Sequence, residues 1–193
     1  MHRSSTRFIS IAAGLVSLLL VSLLVTRASN AAFTDSTENV GSSFSAGDIE
    51  LVDDDTGSAM FTVADMAPGD PAQQECITVT YQGSIPDPDV VQLYSGGLTD
   101  GGLAPHLDVV VEEGTGGGSA SCVGFVAGST IFTGTLEGFD TAHTSYATGA
   151  GSWDPSGTPE SRSYQVTVTL GTDTPNAAQG TDAQIDFTWE IQS

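Results

Sequence analysis

Residues 163–170 read SYQVTVTL, and residues 182–192 read DAQIDFTWEIQ. Both stretches alternate. The first puts Tyr164, Val166, Val168 and Leu170 on one face and Ser163, Gln165, Thr167 and Thr169 on the other. The second puts Ile185, Phe187, Trp189 and Ile191 inward, with Asp186, Thr188 and Glu190 outward. A period of two, with β-branched and aromatic residues on the apolar side, is the signature of a half-buried strand.

The same reading extends along the chain. CITVTY (76–81) aligns Ile77, Val79 and Tyr81, and HLDVVVEE (106–113) aligns Leu107, Val109 and Val111. Shorter candidates are FSAGDIEL (44–51), AMFTVADM (59–66), DVVQLY (89–94), CVGFV (122–126) and TIFTGTL (130–136). Turn chemistry separates them: Pro68-Gly69-Asp70, residues 83–88, Gly96-Gly97, Asp100-Gly101-Gly102, residues 114–118 and residues 171–175. No stretch of the body has sustained helical spacing. Many short strands between regular turns predict an all-β fold, a jelly-roll-like antiparallel β-sandwich. Residues 138–161 are rich in Gly, Ser and Thr and read as a long surface loop between sheets.

The chain has 193 residues, of which 24 are acidic, and a formal net charge of −20. It has no Lys, and its Arg residues are Arg3, Arg7, Arg27 and Arg162. From Ala32 onward all 24 carboxylates stand against Arg162 alone, leaving −23. Phosphate recognition needs clustered cations, so nucleic acid is excluded as a partner. Anionic membrane surfaces are disfavoured for the same reason. The charge favours solubility, cation binding or a salty milieu. The apolar fraction of 39%, set in alternating runs, argues against disorder.

The N-terminus carries Arg3 and Arg7 before an apolar run at 8–25, followed by TRASNAAF. Small residues at Ser29 and Ala31 predict cleavage between Ala31 and Ala32, so 1–31 read as a signal peptide. Cleavage before Phe33 is the near alternative, and a retained membrane anchor is the other reading of the same run. Either way the body lies outside the cytoplasm. An even pair of cysteines in an exported chain predicts a disulfide between Cys76 and Cys122. Closing so long a loop stabilises by roughly 3–5 kcal/mol in the chain-entropy picture.

Catalytic signals are sparse. A zinc hydrolase needs about three protein ligands and an open position. The body offers His106 and His143, far apart in sequence, with Asp108 or Asp140 as carboxylates to complete a set. No His-Glu-x-x-His, Gly-x-Ser-x-Gly or phosphate-loop motif is present. Among metals, calcium fits better: Asp53, Asp54 and Asp55 precede a Thr-Gly turn and supply hard oxygens, although EF-hand spacing is missing. Asp87 and Asp89, flanking Pro88, form a second such pair. An ordinary solvated acidic turn is the other reading of both.

Three stretches in order resemble the TasA/camelysin family. The first is AAFTDS (31–36) followed by FSAGDIEL (44–51). The second is MAPGD (66–70) followed by ITVT (77–80), and the third runs from AAQG (177–180) to FTWEIQ (187–192). The resemblance implies a jelly-roll domain exported with a SipW-type signal peptide. It also implies a cell-surface or biofilm-matrix role and polymerisation into fibres by N-terminal strand donation. On that reading residues 32–43 are a flexible segment and candidate donor strand, anchored by Phe33 and Val40, with Phe44 close by. Residues 44–193 are the β-sandwich. The partners implied are further copies of the chain or related surface subunits, and a signal peptidase during export. The leader, if uncut, is the only membrane contact. Some members of the family carry a metallopeptidase label, so a metal-dependent endopeptidase is one alternative. A monomeric, calcium-stabilised surface binding module is another. With no zinc motif, the first expectation is a secreted structural protein and not an enzyme.

Overall fold

The computed structural model describes residues 48–56, 60 and 66–193, all within the compact unit Ala46–Ser193. Its strands are β1 (Leu51–Asp53), β2 (Gln73–Tyr81), β3 (Gln92–Asp100), β4 (Leu107–Thr115), β5 (Val126–Thr135), β6 (Glu160–Leu170) and β7 (Ala183–Glu190). One helix, α1 (Leu136–Ala142), follows β5. Every strand pairing is antiparallel. Five strands form one sheet in the order β1-β2-β6-β4-β5, and β3-β7 form a second. The chain crosses from β2 to β3, returns to β4 and β5, passes beside β3 again, returns to β6 and crosses once more to β7. The result is the expected antiparallel β-sandwich.

The alternating stretches build it. SYQVTVTL lies in β6, the strand that pairs with both β2 and β4. Its inner residues Tyr164, Val166 and Leu170 are buried, as are Ile77, Val79 and Tyr81 of β2 and Leu107, Val109 and Val111 of β4. They form two adjoining clusters, one around Val109, Val111, Val166, Leu93 and Phe139, the other around Ile77, Tyr81, Tyr164, Trp153 and Ile191. Each fully buried Val, Leu or Ile contributes about 1.5–3 kcal/mol, so these rows dominate stability.

Four expectations need correction. CVGFV is not a strand up to Phe125: the Phe125 amide donates to the Cys122 carbonyl, Gly124 has φ +86°, and β5 starts at Val126. Gly96-Gly97 is not a turn but an irregularity inside β3, where the register against β7 shifts between Ser95 and Gly97. DVVQLY contributes only its last three residues to that strand, which begins at Gln92. Finally, 138–161 is not merely a surface loop. It begins within α1, whose Leu136 and Phe139 are buried, and Trp153 and Pro155 are buried as well. A seven-residue helix has room for only one such i, i+3 pair, too little to register as a period. Thr135 caps it by accepting from the Gly138 amide at 3.1 Å. Of FSAGDIEL, only Leu51 belongs to a described strand, and most of AMFTVADM lies outside the described residues, although Met60 and Met66 pack against the core.

Phe139 joins α1 to both sheets, with its ring 5.0 Å from Phe132 and 5.3 Å from Phe187. Phe139→Ala is expected to destabilise the fold by about 3–5 kcal/mol, read as a shift in the urea midpoint at unchanged slope.

Candidate functional site

The second sheet has two unlike edges. The amides of Val91, just before β3, and of Leu93 and Ser95 within it donate to the carbonyls of Trp153, Ala150 and His143, each at 2.8 Å. Ala150 returns a bond to the Leu93 carbonyl at 2.8 Å. Residues 143–153 therefore occupy that edge as an irregular segment, with a 3-10 turn at Tyr146–Thr148 and an isolated bridge at Ala150. They also reach the first sheet, because Ser152 donates through its amide and its hydroxyl to buried Glu113 at 3.0 and 2.9 Å. One side of the sandwich is thus closed.

The other edge belongs to β7. Odd-numbered amides of β3 face residues 143–153, so the even positions Gln92 and Tyr94 face β7, opposite Glu190 and Thr188. Phe187 and Trp189 must then turn their own N–H and C=O groups away from β3. Among the described residues no backbone partner meets them there. Their side chains tell the same story. Ile185, Phe187 and Trp189 line the inner face yet remain only half-buried. The residues they face, including Val109, Val111, Tyr164 and Val166, are wholly buried. The indole N–H of Trp189 is buried and meets no hydrogen-bond partner among the described residues. An apolar row coincides with a backbone edge that is unpaired among the described residues.

The expected disulfide is present, joining Cys76 of β2 to Cys122 with Cα atoms 5.3 Å apart across a separation of 46 residues. It holds the tip of the β4–β5 hairpin to β2. Asp54 does the same nearby. Its carboxylate accepts from the Thr78 amide at 2.8 Å and the Ser119 amide at 2.9 Å, while the Ser119 hydroxyl donates to the Asp54 carbonyl at 2.7 Å. Asp53 is held above the usual carboxylate range, chiefly by partial burial and then by neighbouring Asp55. Among the described residues no group of three or more His, Cys, Asp or Glu side chains is placed to hold a metal ion.

The zinc candidates are likewise dispersed. His143 hydrogen-bonds through Nδ1 to the Thr148 carbonyl at 2.6 Å and packs against Phe132 and Phe139. Asp140 accepts from the Ser95 hydroxyl at 2.5 Å. His106 ends a short 3-10 turn and adds to the lowering of the Asp100 pKa, which three backbone amides drive first. Asp108 is exposed near the start of β4. Asp89 contributes a backbone bond to the Gln192 carbonyl, and Asp87 lies exposed before it. Ala31, Ala32, Phe33, Val40 and Phe44 lie outside the described residues.

Sequence reasoning missed Glu160. It accepts from the Trp153 indole at 2.9 Å and from the Ser156 amide at 3.0 Å, and it stands 3.9 Å from Arg162. Arg162 in turn lies 5.9 Å over the Trp153 ring. Compared with family models and with curated proteins, the chain matches none.

The Trp153 indole, the Ser156 amide and hydroxyl, and Arg162 hold the Glu160 carboxyl below its ordinary range. A depressed carboxylate stabilises the fold above its unfolded pKa, and that stability is lost as pH falls through the folded value. Glu160→Gln is therefore expected to lower Tm at pH 7, with the deficit shrinking once the pH drops below about 4.3. Paired thermal melts across that range check it.

Proposed function

We propose that this chain is a secreted structural protein of the cell surface or an extracellular matrix, a fibre subunit that assembles by strand addition at the outer edge of β7. The observation that carries the reading is the coincidence on β7 of backbone groups that meet no partner among the described residues with the half-buried Ile185, Phe187 and Trp189. A strand from another chain satisfies both needs at once, with main-chain bonds giving affinity and alternate side chains filling the gap. A disulfide fits an oxidising compartment outside the cytoplasm.

The candidate donor is the segment 32–43 of a second copy, anchored by Phe33 and Val40. In an extended strand these two fall on opposite faces. Val40 is thus the one suited to the apolar row, and Phe33 anchors elsewhere. Donation from one copy into the next is heterologous and does not close, so it grows filaments. The TasA-like stretches of the sequence support the same role. Between subunits of such high negative charge, screening salt or bridging cations must accompany growth.

Negative-stain electron microscopy of residues 32–193, in high salt and with millimolar calcium, tests this. Filaments that disappear when 32–43 is deleted are the expected result. Dispersed particles under every condition overturn self-assembly.

A further inference from the structure

We propose that a strand entering at β7 is recognised by a side-chain carboxylate as well as by its apolar anchor: Glu38 of the donating copy accepts from the indole N–H of Trp189. The inference rests on the strand-addition reading and names what selects the strand. Three buried side-chain polar atoms meet no hydrogen-bond partner among the described residues: Arg162 Nε, the Tyr164 hydroxyl and Trp189 Nε1. Arg162 and Tyr164 stand two apart on the inner face of β6, and the Tyr164 ring lies 5.4 Å from that of Trp189. All three atoms donate, and the two nitrogens do nothing else.

A body with 24 carboxylates is rich in acceptors. Along this line the nearby ones are engaged. Glu113, close enough to act on Tyr164, takes the amide and hydroxyl of Ser152. Glu160 takes the Trp153 indole and the Ser156 amide, and it reaches Arg162 only through another guanidinium nitrogen, at 3.9 Å. Burial, then Glu113, push the Tyr164 hydroxyl well above its ordinary range, so it keeps its proton. A buried donor left unmet costs stability, and here that cost falls beside the outer edge of β7.

The donating segment carries the complementary chemistry. With Val40 turned to the apolar row, Ser36, Glu38 and Ser42 share its face. One apolar side chain among oxygens suits a purely apolar groove badly and a groove with unmet donors well. Every strand pairing among the described residues is antiparallel. An antiparallel strand with Val40 at the middle of the row, against Phe187, sets Glu38 against Trp189. Directly opposed Cβ atoms lie about 5 Å apart, within the span of a glutamate side chain. Trp189 is half-buried, and a turn of its ring about Cβ–Cγ presents the N–H to that edge. Arg162, the only Lys or Arg from Ala32 onward, stands on the same inner face and favours a carboxylate there over a neutral oxygen.

The test is titration of the exported chain lacking 32–43, which retains every described strand and both core clusters, into labelled peptides spanning residues 32–45, read by fluorescence anisotropy. Glu38→Ala and Asp35→Ala remove the same charge from opposite faces of the strand. Against so acidic an acceptor, charge alone makes each variant bind tighter. The expected result is that Asp35→Ala binds at least as well as the natural peptide, while Glu38→Ala binds about tenfold more weakly. These peptide variants leave the acceptor's fold untouched. On a Trp189→Phe acceptor the Glu38→Ala penalty should vanish, a cycle that separates the bond from lost ring contacts. Equal behaviour of the Glu38 and Asp35 variants overturns the proposal and leaves strand addition standing. So does a Glu38→Ala penalty that persists on Trp189→Phe, or a penalty that falls on Ser42→Ala instead. A natural peptide that does not bind at all overturns both.

Discussion

A five-stranded sheet presents a wider apolar face than two strands can cover. That mismatch governs the rest of the molecule, because each sheet must bury its apolar side against another layer. On the β3 side the chain supplies the missing cover itself. Helix α1 lays Phe139 across the seam, and residues 143–153 run along β3 and tie back to Glu113 through Ser152. On the β7 side the described residues supply no such strand. Met60 and Met66 pack against the clusters, yet Ile185, Phe187 and Trp189 stay half-buried. The proposed assembly follows from this asymmetry.

The second constraint is the near absence of cations. The carboxylates that hold the fold together are satisfied by neutral donors. Asp54 takes two backbone amides, Asp100 takes three, Glu113 a serine amide and hydroxyl, Glu160 an indole, and Glu190 the Tyr94 hydroxyl at 2.6 Å. The one ion pair among the described residues, Arg162 with Glu160, is partly solvated and long at 3.9 Å. Charge-assisted bonds to fixed amides survive high salt better than exposed ion pairs, which suits a chain whose surface charge calls for screening.

Much of the fold was legible in the sequence because alternation is a local signal. β2, β4, β6 and β7 were marked by their own residues, and two cysteines in the chain left one possible intramolecular pairing, which the disulfide takes. What stayed hidden depends on distant contacts. Asp54 clamps Ser119 across 65 positions, and Glu113 meets Ser152 across 39. Nothing near Asp54 distinguishes a loop clamp from a calcium ligand. Gly96-Gly97 carries turn chemistry, and only pairing with β7 turns it into an irregularity within a strand. The TIFTGTL reading of β5 placed its second half and missed the first, where VAGS has too few apolar residues to alternate. The β7 edge was not legible at all, since an unpaired edge is a property of the sheet and not of the strand.

The most direct test of the central claim is amide hydrogen exchange of β7, resolved by residue, in the chain lacking 32–43, before and after addition of a synthetic peptide spanning residues 32–45. Strand addition predicts that Phe187 and Trp189 exchange fast in the free protein, while Thr188 and Glu190, which face β3, exchange slowly. Saturating peptide should then slow Phe187 and Trp189 specifically. If those two amides are already protected without peptide, or stay fast with it, the outer edge of β7 is not the acceptor and the strand-addition account is wrong.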